Sequence, residues 1–191
     1  MTHRFADVTF TDGVKAAQEY YESRAHNERL QTKFGPNDQL GPREADFIAQ
    51  RDTFYLATVS ETGWPYVQHR GGPTGFLKVL GPKQLAYADF RGNTQLISIG
   101  NVSNNDRCSL ILMDYPNRRR LKVLGHMRVE DAAIVSSEVL AQVGDPDYRA
   151  RVERVVTIDV DAFDWNCPQH ITRRYTESEF AELRQSGADN E

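Results

Sequence analysis

Apolar and polar positions alternate through the middle of the chain, which marks it as rich in β-structure. Phe54-Tyr55-Leu56-Ala57-Thr58-Val59 has the β-branched and aromatic content of a strand, Glu61-Thr62-Gly63 turns it, and Trp64 to Arg70 returns as the second arm of a hairpin. Phe76 to Leu80 and Leu85 to Asp89 make a further pair around Gly81-Pro82. Ser109 to Asp114, Arg120 to Val129 and Arg154 to Val160 supply the remaining strands. Helices are predicted around and between them. A long one covers Val14–Leu30, capped by Thr11 or Asp12, and a short one covers Arg43–Arg51 behind Pro42. Others cover Thr94–Val102, Asp131–Val143 and Glu177–Gln185, with a helical turn at Tyr148–Val152.

Strands linked by hairpins, without regular strand–helix alternation, argue for a small barrel and against a doubly wound sheet. The expected fold is mainly β in an α+β class, with six to seven antiparallel strands and peripheral helices. Residues 1–40 read as a helical N-terminal extension, 41–180 as the barrel domain and 181–191 as a C-terminal tail. The first helix is poor in apolar residues, with Tyr20 and Tyr21 its largest, so it is expected on a surface or against a partner subunit.

The 191 residues suffice for one domain with a real core, and 39% hydrophobic and 26% charged residues are ordinary globular values. A formal charge of -4 and a pI near 5.8 argue against nucleic acid as the main partner. No apolar run approaches the roughly 18 residues of a membrane span. The start of the chain lacks the apolar stretch of a secretion signal, and two cysteines, Cys108 and Cys167, make no disulfide framework. The cytoplasm is the expected compartment.

Candidate chemistry concentrates in two segments, Gln68-His69-Arg70-Gly71-Gly72-Pro73 and Asp89-Phe90-Arg91-Gly92-Asn93. Each follows a strand and sets an arginine among glycines. Arginine grips phosphate through paired charge-assisted hydrogen bonds, and glycine lets backbone amides approach the oxygens. A helix beginning near Thr94 would add its partial positive charge; the alternative for this segment is a turn with a solvated arginine. Arg118-Arg119-Arg120 with Lys122 is a second basic cluster, which fits either a solvated loop or a ligand contact. Alternation puts Arg120 and Lys122 on one face and Leu121 and Val123 on the other. Trp165-Asn166-Cys167-Pro168-Gln169-His170 offers a flat apolar ring beside donors and acceptors, or a structural corner. Cys167 three residues before His170 invites a metal reading, but no other Cys/His pair has ligand spacing, and three residues in a loop rarely hold a nucleophile–base pair in line. His3 and His26 read as exposed, and His126 as a structural histidine within a strand.

Together these segments resemble the pyridoxamine 5'-phosphate oxidase-like superfamily of flavin-binding split barrels, and within it a subgroup of flavin-nucleotide-binding proteins. The resemblance rests on Phe47 to Thr58, Pro65 to Pro73, Ala88 to Asn93, Met113-Asp114-Tyr115 with Arg118-Arg119-Arg120, and Asn166 to Ile171, in one order over roughly residues 40 to 175. It implies a split barrel and a homodimer with FMN in the interface. It further implies that Gln68, His69, Arg70 and Gly71 line the flavin ring, with Ala88 and Asp89 on the neighbouring strand. Arg91 and Asn93 would hold the phosphate, joined by Arg119 or Arg120, and Trp165 and Gln169 would cover the flavin from the other subunit. The implied activity is that of an oxidoreductase on a small substrate. The alternatives are a non-enzymatic flavin carrier or sensor, and a tetrapyrrole- or haem-binding barrel. The true oxidases carry a lysine where this chain has Gly72-Pro73, and their substrate-phosphate set and C-terminal Arg-x-His pair have no clear counterpart here, so pyridoxal phosphate synthesis itself is not expected.

Overall fold

In the computed structural model, which describes residues 3–33, 35–92, 94–165 and 167–188, burial alternates along β1 (Thr53–Val59), β5 (Arg107–Asp114) and the first part of β6 (Arg119–Asp131). Each therefore places one face on the core. With β2 (Pro65–Gly71), β3 (Lys78–Gly81), β4 (Gln84–Phe90) and β7 (Val152–Trp165), they form one seven-stranded sheet in the order β2-β1-β5-β6-β7-β4-β3. Every pairing is antiparallel. Leu56, Leu110, Leu112, Leu121, Val123 and Ile158 are wholly buried and make the centre of the core. As expected from alternation, Arg120 and Lys122 lie on the face opposite Leu121 and Val123.

The sheet curls until its ends meet through side chains. Phe54 of β1 stacks on Phe76 at 5.5 Å and meets the Tyr87 ring of β4 edge-on at 5.3 Å. Arg70 of β2 reaches Asp89 of β4. Among the described residues no backbone ladder joins β2 to β3 or β4, and this seam, closed by side chains alone, is what splits the barrel. Curvature also needs a close approach of β6 to β7 at a register shift beside Gly125. A Cβ there would stand 2.5 Å from the Asp159 carbonyl oxygen, so glycine is required.

Seven helices surround the sheet among the described residues: α1 (Arg4–Thr9), α2 (Asp12–Tyr20), α3 (Arg24–Lys33), α4 (Pro42–Ala49), α5 (Ile97–Asn104), α6 (Ser137–Val143) and α7 (Glu177–Ala188). Pro42 leads α4 as expected, and the Gly41 amide donates to the Glu44 carboxylate at 3.0 Å. Thr11 caps α2 by accepting from the Val14 amide. None of these helices is long and apolar enough to cross a membrane.

Several boundaries differ from expectation. The long first helix is two, because Glu22 turns left-handed (φ 57°) and the Ser23 amide and hydroxyl both donate to the Gln18 carbonyl, starting a new helix. The Asp131–Val143 helix begins only at Ser137. Asp131 accepts from the Ala133 amide in a local turn, and the Ser136 hydroxyl caps the helix instead. Tyr148–Val152 is not helical, and Val152 already belongs to β7. The helix expected from Thr94 starts at Ile97, after a left-handed Leu96 (φ 55°).

Candidate functional site

The seam between β2 and β4 holds a cleft of about 150 Å³. Six residues expected at the site line it: Gln68, His69, Arg70, Gly71, Ala88 and Asp89. Phe76, Tyr87 and Phe90 complete its walls. The β1–β2 hairpin sets the first group. Phe54 stands opposite Arg70 and Leu56 opposite Gln68, so the alternation that buries Phe54 and Leu56 turns Arg70 and Gln68 inward. Gln68 is fixed further by the Ser98 hydroxyl of α5, which donates to its side-chain carbonyl at 3.0 Å.

Asp89 is the electrostatic centre. It is 5% exposed and receives Arg70 Nη1 at 2.6 Å on one oxygen and Arg154 Nε at 2.7 Å on the other. Arg154 stands directly across the β4–β7 ladder from Asp89. Burial opposes its charge, but the Asp89 hydrogen bond and the Asp89 and Glu153 charges outweigh burial and raise its pKa. With Glu153 counted beside Asp89, the cluster of Arg70, Arg91 and Arg154 against these two carboxylates leaves one net positive charge at the seam. Glu153 lies beyond it, 3.2 Å from Arg154 and 3.8 Å from Arg91.

Two buried donors at the cleft have no protein partner, Arg70 Nε and the Tyr87 hydroxyl. Burial holds the Tyr87 phenol protonated by raising its pKa, so it is a standing donor. Orphaned buried donors are rare and costly, and here both belong to residues that line one cleft with a net positive charge. The site fits a ligand rich in hydrogen-bond acceptors.

The other expected residues sit elsewhere. The Arg91 side chain is 70% exposed just past β4, and its backbone amide donates to the Arg151 carbonyl. A Cβ at the neighbouring Gly92 would meet only open space. Asn93 lies outside the described residues. Arg119 donates twice to Asp114, at 3.0 and 2.8 Å, and its guanidinium covers the Phe47 ring. Arg120 has a buried Nε without a partner, outside this cleft. Trp165 ends β7, packs edge-on against Phe47 at 4.8 Å under the Arg43 guanidinium, and donates its indole N–H to Glu44 at 2.8 Å. Gln169 is exposed in a turn. Thus Arg119, Arg120, Trp165 and Gln169 do not reach the Arg70–Asp89 cleft of their own chain. Sequence reading missed Arg154 and Tyr87. His3, expected exposed, is buried, whereas His26 is exposed and His126 bonds Asp106 at 3.0 Å. Among the described residues no cluster of His, Cys, Asp and Glu could hold a metal ion.

Asp114 anchors the β5–β6 turn. Its side chain is 1% exposed and accepts from Arg119, from the Asn117 amide and side chain, and faces Arg51 at 3.7 Å. Burial pushes its pKa up, but the bonds from Arg119 and Asn117 and the Arg51 charge overcome this and hold it below the usual carboxylate range. The unfolded chain then binds this proton more readily than the folded one. The stability from Asp114 is complete above about pH 4 and is lost as pH falls through its folded value. Urea unfolding between about pH 5 and 3 should show wild type losing more stability than Asp114→Asn; parallel loss would mean that Asp114 does not drive the acid sensitivity.

Residues 40–162 match the sequence profile of pyridoxamine 5'-phosphate oxidase. The chain belongs to that family. The match spans the barrel and includes both the β2 and β4 walls of the cleft, while α1 to α3 and Trp165 fall outside it. No curated protein matches the chain. Solved structures share the family fold. A proposed pyridoxamine 5'-phosphate oxidase from Lactobacillus delbrueckii superposes with a TM-score of 0.51 at 21% identity, over 66% of this chain and 94% of its own. HupZ of Group A Streptococcus gives 0.53 at 15% identity, over 71% and 99%. An FMN-binding protein from Syntrophomonas wolfei gives 0.51 at 9% identity, over 78% and 97%. The segment Gly72-Pro73 stands where the resemblance to the oxidases implies a lysine, and Gly72 itself is tightly packed. A Cβ there would meet the Phe76 ring at 2.7 Å, so the local packing of this chain is built around the glycine.

Proposed function

We propose that this protein binds FMN at the β2–β4 seam, as a homodimer with the cofactor between subunits, and acts as an oxidoreductase on a small substrate. The observation that carries the reading is the array of Arg70, Asp89 and Arg154 beside two unpartnered buried donors, Arg70 Nε and the Tyr87 hydroxyl. Membership of the family and the likeness to an FMN-binding protein from Syntrophomonas wolfei support the choice of ligand.

Bound FMN would supply hydride or electron transfer. The chain supplies grip, orientation and field. Arg70 and Tyr87 would donate to acceptor atoms of the ring, and the net charge of the seam favours a reduced, anionic ring. Arg91, exposed next to the open backbone at Gly92, would bind the phosphate in place of its loose contact with Glu153. A cleft of about 150 Å³ is below the roughly 300–1,000 Å³ that encloses a ligand of this size, so a second wall is required. Arg120, Trp165 and Gln169, which do not reach the cleft of their own chain, are the residues a partner subunit would bring.

Arg91→Ala should weaken FMN binding by about 1.5–3 kcal/mol, one charged hydrogen bond's worth, in a titration that follows quenching of flavin fluorescence. Unchanged affinity would remove Arg91 from the phosphate site.

A further inference from the structure

A second cavity, of about 350 Å³, lies between the N-terminal extension and the outer side of β6 and β7. It is remote in sequence from the β2–β4 seam and shares no residue with it. Its roof lies outside the segment that matches the family, so nothing in that match accounts for it.

The roof is docked firmly. Arg4 of α1 donates to Asp161 of β7 through two nitrogens, at distances of 2.8 to 3.1 Å, and its amide donates to the Pro36 carbonyl. The walls are of two kinds. Phe5, Ala6, Phe10 and Trp165 give apolar and aromatic surface. His3, Asn27, Gln31, Lys122 and Asp164 give polar groups. A cavity of this size, with aromatic surface and several polar groups in its lining, has the build of a small-molecule site.

His3 fixes the polarity. Its side chain is 9% exposed. The Asn37 side-chain amide nitrogen lies 2.8 Å from His3 Nε2, which also stands 3.8 Å from the Asp164 carboxylate; in the tautomer whose Nε2 accepts from Asn37, the ring proton sits on Nδ1. That Nδ1–H is buried and has no partner in the chain. Lys122 and Asp164 face each other across the floor at 3.0 Å, and their charges cancel. The Lys122 ammonium also lies over the Phe5 ring at 4.4 Å. The cavity therefore offers a donor, a carboxylate acceptor, aromatic walls and no uncompensated charge.

We infer that this cavity is a second binding site, for an uncharged planar aromatic ligand that carries a carbonyl beside an N–H, as in an aromatic carboxamide or the edge of a heteroaromatic ring. The carbonyl would accept from His3 Nδ1, the N–H would donate to Asp164, and the ring would lie against Phe5 and Phe10. The inference does not rest on FMN binding at the seam; the residue common to both readings is Trp165, a wall of this cavity and a residue proposed to reach the partner's cofactor.

The test uses the full-length protein with benzamide and its isostere benzoate, followed by saturation-transfer NMR and by shifts of the protein amide signals. Benzamide should bind and shift the amides of α1 and the end of β7, with benzoate about tenfold weaker because an uncompensated carboxylate would face Asp164. Ala6→Leu, which fills the cavity, should abolish the shifts. His3→Met, whose thioether can accept weakly from Asn37 but has no N–H to offer a ligand, should weaken benzamide about tenfold. Arg91→Ala should leave benzamide binding unchanged, and Ala6→Leu should leave FMN binding unchanged, so the two sites are read separately. Absence of benzamide binding to the wild-type protein would overturn the inference. So would shifts that persist in a folded Ala6→Leu variant, or benzoate bound as tightly as benzamide.

Discussion

Asp89→Ala is expected to cost about 3–5 kcal/mol of folding stability, because it strips two buried guanidinium groups of their shared carboxylate. Arg70 and Arg154 side chains are only 11% and 19% exposed, so water cannot replace Asp89 at full strength. Their mutual repulsion, now screened by the carboxylate between them, would push the seam open. Asp89→Asn keeps an acceptor for one arginine and should cost less than Asp89→Ala. Pairing Asp89→Ala with Arg70→Met should recover part of the loss, since one of the stranded charges is then gone. Urea unfolding of the four proteins measures this. A loss below about 1 kcal/mol for Asp89→Ala would mean that the pairs are no stronger than exposed salt bridges, and the seam would not be the charged, closed element described here.

Phe54→Ala is the second large effect, about 3–5 kcal/mol, and it reaches the site as well as the core. Phe54 is 1% exposed and holds two aromatic residues of the cleft at once, Phe76 stacked and Tyr87 edge-on. Removing it leaves a cavity beside the Tyr87 ring, which carries one of the two orphaned donors. The expected result is a lower urea midpoint together with weaker FMN binding. Phe54→Leu, which keeps most of the volume, should restore stability more fully than affinity, because it refills the core but cannot stack on Phe76. Equal recovery of both would show that Phe54 serves the core alone.

The β-hairpin physics was legible in the sequence wherever partners were close along the chain. Phe54 to Val59 and Pro65 to Gly71 pair through a short turn, and strand alternation alone then places Arg70 and Gln68 on the inner face. Arg154 was not legible. It meets Asp89 because β4 pairs with β7, strands separated by α5, β5, β6 and α6, and no local pattern encodes that pairing. Tyr87 was missed for a related reason. Within an apolar run its ring reads as core, and only the closed seam shows that its hydroxyl is left without a partner. The N-terminal extension misled in two ways. Val14 to Leu30 has helical composition throughout, and composition does not register the left-handed Glu22 that breaks it. His3 precedes a helix of only six residues, too short for a periodic signal, and its burial comes from docking on β7. Trp165 was expected beyond the last strand, whereas β7 continues through it. Its indole is committed to Glu44 and Phe47 in its own chain, so any covering of a partner's cofactor would use the ring's remaining edge.

The central claim, FMN at the β2–β4 seam, is tested most directly by the visible spectrum of the purified protein after incubation with FMN and removal of free cofactor by desalting. The account predicts a retained flavin spectrum at about one FMN per chain in the wild-type protein, and its loss when Arg70 is replaced by methionine, a change that keeps the bulk of the side chain but removes its donors. A colourless wild-type protein would contradict it, and so would an Arg70→Met variant that holds FMN as tightly as wild type.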